Sequence, residues 1–333
     1  MKRNPVGDTG VTVTALSFGG AEIGNLYRAM SDADAFATVD AAWDAGMRYF
    51  DTAPHYGLGL SERRLGVALR DRPRDDYRVS TKVGRLLVAD AEGDAGRVDD
   101  HFEVPATHRR VWDFSRDGVR RSVEESLVRL GLDRVDVLFL HDPDEHWRQA
   151  IDEGYPALAE LRDQGVVGAI GAGMNQTSML ADFVRHADMD LLMLAGRYTL
   201  LEQGALDELL PLCAARSVAV VAVGVFNSGL LAVARPGPGA RYDYAEAPAE
   251  LVARANRIAD VCERHGAALP AAALQFPLAH PAVVSVGVGC HGIAQVKANA
   301  SRFKTPLPAD LWAELRDEGL LRADAPVPIG LAA

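Results

Sequence analysis

Cysteine is scarce in this chain: Cys213, Cys262 and Cys290 are the three among 333 residues, and no two of them form a CxxC pair. A scattered, odd-numbered set excludes a disulfide framework and a thiolate zinc site, so each reads as a small buried hydrophobe in a reducing compartment. Positive charge is also in short supply, with 35 Lys and Arg against 46 Asp and Glu and a net charge of −11. The cations are dispersed and form no stripe to follow a phosphate backbone, which excludes nucleic acid as a partner. Long apolar runs are missing, and none approaches the ~18 residues of a membrane span. The opening MKRNPVGDTG has a basic pair with no apolar stretch behind it. No export leader and no membrane partner are therefore expected, and the cytoplasm is the expected location.

What the chain does have is a large apolar fraction, 48%, enough for a sizeable core. Short runs rich in Val, Leu and Phe recur as ALSFGG (15–20), MRYFDTA (47–53), YRVSTKVG (77–84) and VDVLFLHD (135–142). They continue with GAIGAG (168–173), LLMLAG (191–196), VAVVAVGV (218–225) and VVSVGVG (283–289), giving eight strand candidates. Helical periodicity fills the gaps. Val119, Val123, Leu127 and Leu130 share a face behind Ser115 as N-cap, and Ser31 to Asp34 has the form of a capping box before Phe36, Val39 and Trp43. Near-continuous apolar strands alternating with helices imply a parallel sheet covered by helices, and eight such units predict an α/β fold of the (β/α)8 TIM-barrel type. An open doubly wound sheet is the alternative. No Pro/Gly/Ser linker divides the chain, so residues 1–333 are expected to form one domain. RNPVGDTGVTVT is expected to form an N-terminal β-hairpin closing one end of the barrel.

Two connections, residues 85–115 and 232–249, exceed the usual few residues. Both leave carboxyl ends of strands, where barrel active sites are built, so they are expected to be long loops over a ligand at the C-terminal face, with Trp112 and Phe114 touching substrate.

The strand ends carry the chemistry. The second delivers Asp51 and then Tyr56, the third Lys82 and the fourth His141. Taken singly, these are ordinary: a helix N-cap, a snorkelling lysine, a core histidine. A barrel places all four on one rim, and together they make a proton-transfer device. An ammonium beside a phenol favours the phenolate, so Lys82 is expected to lower the Tyr56 pKa. Asp51 would keep Lys82 charged, and His141 would orient a substrate oxygen. Such a group exchanges a proton with an alcohol or carbonyl, and the matching hydride requires a nicotinamide cofactor. GVGCHG at 287–292 follows a strand and precedes a helix, which suits a barrel phosphate site better than a Rossmann fingerprint. Asn227, Ser228 and Gly229 offer further donors. Competing readings are a Schiff-base enzyme using Lys82 and a metal hydrolase using Asp51, His55, His141 and Asp142.

FDTAPHYGLGLSERRLG, STKVG around Lys82 and LFLHD around His141 resemble the aldo-keto reductase superfamily, over essentially the whole chain. The resemblance implies that Asp51, Tyr56, Lys82 and His141 are a catalytic tetrad, with Tyr56 the proton donor or acceptor. It implies cofactor contacts from Gly20, Asp51, Asn175, Phe226, Asn227, Ser228, Gly229, Leu230, Gly289, Cys290, Gln295 and Asn299, and no metal. GNLYRAMSD, HDPDEHW, AIGAGMNQ and VFNSGLL are similar to the branch that oxidises free aldoses at C1, of the L-fucose, D-arabinose or L-galactose type. Related activities are oxidation of pyridoxal, carbonyl reduction, and nucleotide sensing without catalysis. The superfamily commonly has Ser-Asn after the fifth strand, Gln after the sixth and an aromatic after the seventh; here stand Met174-Asn175, LAGRY and Val223. Where NADP-dependent relatives place Lys-Ser and Arg against the 2′-phosphate, this chain has Gly289-Cys290 and Gln295. NAD is therefore expected over NADP. A small-molecule sugar, alcohol or aldehyde is the expected substrate.

Overall fold

The computed structural model describes residues 1–90, 96–243 and 245–328. The eight apolar runs fold as the strands of one closed barrel: Leu16–Gly19, Tyr49–Asp51, Arg78–Val83, Val137–His141, Ala169–Met174, Leu191–Ala195, Ala219–Val223 and Val283–Gly289. They run parallel in chain order, and the eighth closes on the first with Val286 opposite Leu16 and Gly289 opposite Gly19. The expected (β/α)8 barrel is therefore the fold, and the open sheet is not.

The strands read as continuous apolar runs because both faces are covered. Tyr49, Val137, Phe139, Leu191 and Val221 fill the barrel interior, while Phe18, Phe50, Val79, Leu140 and Leu192 join the layer between strands and helices. At Gly171 the packing leaves no space for a side chain, since a Cβ there would lie 1.8 Å from the Leu191 carbonyl oxygen.

Helix starts follow local chemistry. Ser31 caps Asp32–Asp44 by accepting from the Asp34 amide at 3.1 Å. Ser115 caps Arg116–Leu130 in the same way through Gly118, and Gly131 ends that helix in the left-handed region. The buried face of Asp32–Asp44 is Ala35, Thr38, Val39 and Ala42. Phe36 and Trp43 flank it, both half-buried, and the Arg48 guanidinium stacks on the Trp43 ring at 3.6 Å. No helix among the described residues is long and apolar enough to cross a membrane.

The N-terminal hairpin forms as expected, Arg3–Pro5 antiparallel to Thr12–Thr14. Its Val6, Val11 and Val13 pack on the interior cluster and close the amino end of the barrel. Neither long connection is structureless. The first forms an antiparallel arm, Arg85–Ala89 with His108–Trp112; the second holds the short pair Arg241–Tyr242 with Ala245–Glu246. Residues 91–95 of the first and residue 244 of the second lie outside the described residues.

Candidate active site

Because all eight strands run parallel, Asp51, Lys82 and His141 emerge on one rim. Asp51 and His141 are the last residues of their strands, and Lys82 stands next to last in its own. Tyr56 arrives on the following loop, where Gly57, Leu58 and Gly59 all hold positive φ and reverse the chain into the helix Leu60–Leu69. The Lys82 Nζ donates to Asp51 Oδ2 at 2.6 Å, to the Thr52 carbonyl at 2.9 Å and to Tyr56 Oη at 3.1 Å. The Ser80 hydroxyl holds the other Asp51 oxygen at 2.7 Å. The His141 ring stands perpendicular to the Tyr56 ring, centroids 6.0 Å apart. Residues separated by up to 90 positions in the chain thus meet as expected.

The electrostatics differ from expectation at one point. Burial pushes the Tyr56 phenol above its ordinary range, Lys82 pulls it back, and Asp51 raises it further, so the net direction is up rather than down. The site is dry, and Asp51 neutralises much of the field that Lys82 would exert. Lys82 itself would be depressed by burial, but Asp51 and Tyr56 more than offset this and keep it charged. Burial and the cations Arg85 and Lys82 hold His141 well below its usual range, so its imidazole is neutral. Its Nδ1 is buried without a hydrogen-bond partner among the described residues.

A cleft of about 540 Å³ opens from this rim. Gly20, Asp51, Asn175, Phe226, Asn227, Ser228, Gly229, Gly289, Gln295 and Asn299 line it. Leu230 and Cys290 do not line it: both side chains are buried, and Asn299 donates to the Cys290 sulfur at 3.5 Å. Burial pushes the Cys290 thiol up to about 12. Asn227 and Ser228 adopt the left-handed conformation, a strained backbone in the tight turn that follows the seventh strand. The buried Asn227 Oδ1 has no partner among the described residues. Glycine-lined walls, an unpaired amide oxygen and the start of the helix Ile293–Lys304 at one end fit a dinucleotide.

The expected substrate contact of Phe114 is corrected. Its ring is wholly buried in the core against Gly84, because the arm turns it inward to anchor the helix that follows. Trp112 stays partly exposed, stacked between Phe114 and the Arg85 guanidinium and outside the lining of the cleft. The aromatic the arm does bring to Tyr56 is Phe102, 6.1 Å away and 5.2 Å from His55. Its only signal in the sequence was an apolar residue inside a polar loop. Also unforeseen are Glu22 in the cleft and Arg85, paired with Asp142 beside His141. A larger groove, about 1040 Å³, lies at the amino end of the barrel between the hairpin and Phe303, and holds none of the tetrad. Among the described residues no three His, Cys, Asp or Glu side chains are grouped to hold a metal ion.

The model of the aldo/keto reductase family matches residues 15–318. The chain is 51% identical over 315 residues to D-threo-aldose 1-dehydrogenase of a Pseudomonas species, covering 94% of this chain and 96% of that one. It is 42% identical to pyridoxal 4-dehydrogenase of Microbacterium luteolum, over 96% and 98% of the two chains. Among solved structures it is similar to an aldo-keto reductase of Bacillus halodurans in its holo form. That likeness has a TM-score of 0.75 at 27% identity and covers 98% of each chain. The chain belongs to the aldo/keto reductase family, and it is an oxidoreductase.

Proposed function

We propose that this member of the aldo/keto reductase family oxidises the C1 hydroxyl of a free aldose to the lactone, with NAD+ as the preferred partner. One observation carries the reading: the Lys82 ammonium sits 3.1 Å from the Tyr56 hydroxyl and 2.6 Å from Asp51, behind the wall that those two residues give to a cleft sized for a dinucleotide. Tyr56 accepts the proton of the C1 hydroxyl, and Lys82 stabilises the phenolate that makes this possible. Asp51 keeps Lys82 charged and aimed. Neutral His141 hydrogen-bonds the substrate oxygen and sets its angle to Tyr56. Bound nicotinamide supplies the acceptor for the hydride that leaves C1. Asn175 would hold the carboxamide, the Asn227–Ser228–Gly229 turn the pyrophosphate, and Asn299 the adenine. Similarity to D-threo-aldose 1-dehydrogenase at 51% identity supports an aldose substrate. NAD is preferred because Gly289 and Gln295, which line the cleft there, offer no cation to a 2′-phosphate. The upward shift of Tyr56 supports a second reading, carbonyl reduction, in which a phenol that keeps its proton donates it.

Absorbance at 340 nm with NAD+ or NADP+ against L-fucose, D-arabinose, L-galactose, L-xylose and pyridoxal tests the assignment, with the reverse reaction run on aldehydes. Tyr56→Phe should lower kcat/KM on the best substrate by about a thousandfold and leave the melting temperature near wild type. Full activity in that variant ends the mechanism. Tight nucleotide binding with no turnover on any substrate would make the protein a nucleotide sensor.

A further inference from the structure

We propose that Glu22 selects an unphosphorylated dinucleotide, accepting hydrogen bonds from the adenosine ribose hydroxyls and repelling a phosphate monoester at that sugar. The proposal rests on the reading of the cleft as a dinucleotide site.

Glu22 begins the turn Glu22–Gly24 after the first barrel strand and lines the cleft. Facing it is Gly289, at the carboxyl end of the eighth strand. A Cβ built there would lie 3.0 Å from Glu22 Cγ and 3.6 Å from its Oε1, so the carboxylate takes the space a side chain at 289 would fill. Asn299, read as the adenine contact, donates to the sulfur of Cys290, the residue after Gly289, at 3.5 Å, which puts the adenosine side of the cleft beside Glu22.

Charge around the cleft singles out this residue. Three carboxylates line it, Glu22, Asp51 and Asp243, with Arg302 the only Lys or Arg in the lining among the described residues. Asp51 is neutralised by Lys82 at 2.6 Å and Asp243 by Arg197 at 2.6 Å. Among the described residues no ion pair or hydrogen bond engages the Glu22 carboxylate. His291, on the turn beyond Gly289, acts on it only through space. Arg302 lies on the same helix as Gln295, seven residues further on and roughly 10 Å along the axis, where it donates to Asn299 at 3.4 Å. Glu22 is also held in place. The buried Arg64 guanidinium donates to the Ile23 carbonyl at 2.8 Å and to Asn25 Oδ1 at 2.7 Å, fastening the residues that follow.

A carboxylate only accepts hydrogen bonds, which matches the donor pair of a ribose diol and mismatches a phosphate that also only accepts. Two negative groups in a partly desolvated cleft repel, so the discrimination comes from rejection as much as from attraction.

Calorimetric titration of the free protein with NAD+, NADP+, ADP and 2′-deoxy-ADP tests this without turnover. Wild type should bind NAD+ at least about tenfold tighter than NADP+ and favour ADP over its deoxy analogue. Glu22→Gln, which keeps the shape, should narrow the NAD+/NADP+ ratio at least about tenfold. Glu22→Ala should abolish the ADP preference, with melting temperatures confirming the fold. A wild-type preference for NADP+, or a ratio that stays within about twofold in both variants, overturns the proposal while leaving the dinucleotide site intact. Failure of wild type to bind either dinucleotide overturns the proposal together with the reading beneath it.

Discussion

Removing the Lys82 ammonium tests the site and its energetics together. Lys82 is 2% exposed and Asp51 7%, and Nζ holds three oxygens. In Lys82→Met the Asp51 carboxylate keeps only the Ser80 hydroxyl, at 2.7 Å, in a dry setting. Breaking a buried pair from one side costs about 3–5 kcal/mol. At roughly 2.1 cal/mol/K per residue, a 333-residue chain should then melt about 6 °C lower for a loss of about 4 kcal/mol. Asp51→Asn should cost a similar amount, because it strands the ammonium. The double variant removes both charges and should return to within about 2 kcal/mol of wild type, a coupling of about 3 kcal/mol or more. Activity should not return with it. Lys82→Met and the double variant take from Tyr56 its cationic neighbour within hydrogen-bonding range among the described residues, and Asp51→Asn frees the ammonium from the carboxylate that aims it, so all three should fall in kcat/KM by about a hundredfold or more. In wild type, oxidation should accelerate as pH rises toward the raised pKa of Tyr56, since the proposed oxidation uses the phenolate. In Lys82→Met that limb should move to still higher pH. Denaturant melts and the 340 nm assay across pH give both readouts. Additive single effects below about 1 kcal/mol would refute the buried pair, and a double variant that recovers activity would refute the role of Lys82.

Acid should weaken the fold earlier than carboxylates alone would allow. His55 is pushed down to about 2 by burial and by Arg85 and Arg110, and His141 is also held well below its ordinary range. A depressed folded-state pKa gives stability that is complete above the unfolded value of about 6.5 and drains away below it, by up to about 1.4 kcal/mol per pH unit per histidine. Urea melts between about pH 7 and 5 should show this slope, and His55→Asn should remove about half of it; a flat profile would refute the shifts. Gly171→Ala places a Cβ 1.8 Å from the Leu191 carbonyl oxygen, so the strands must part. A loss of about 3 kcal/mol or more is expected, and a variant melting within about 1 °C of wild type would contradict the strand register.

Much of the barrel was legible because strands buried on both faces must read as unbroken apolar runs, and all eight segments recur in the structure. The tetrad could be read for a related reason. Parallel connectivity brings every carboxyl end to one rim, so naming the residues at strand ends already groups Asp51, Lys82 and His141. The hairpin and the two serine caps were equally local, set by turn chemistry and by side chains that bond their own backbone.

Tertiary structure decided what depends on which surfaces meet. Trp112 and Phe114 were read alike as aromatics in a long loop. The arm instead buries Phe114 beneath Trp112 and carries Phe102 over Tyr56. Leu230 and Cys290 sit within motif segments, yet the direction of each side chain takes them out of the cleft. The direction of the Tyr56 shift was likewise beyond the sequence, which supplies the neighbouring ammonium and no measure of burial or of the Asp51 counter-charge. Composition and periodicity fix which residues prefer the interior and which strands pair. Desolvation and long-range contact are properties of the closed fold, and they set the charge state of the groups the sequence had placed.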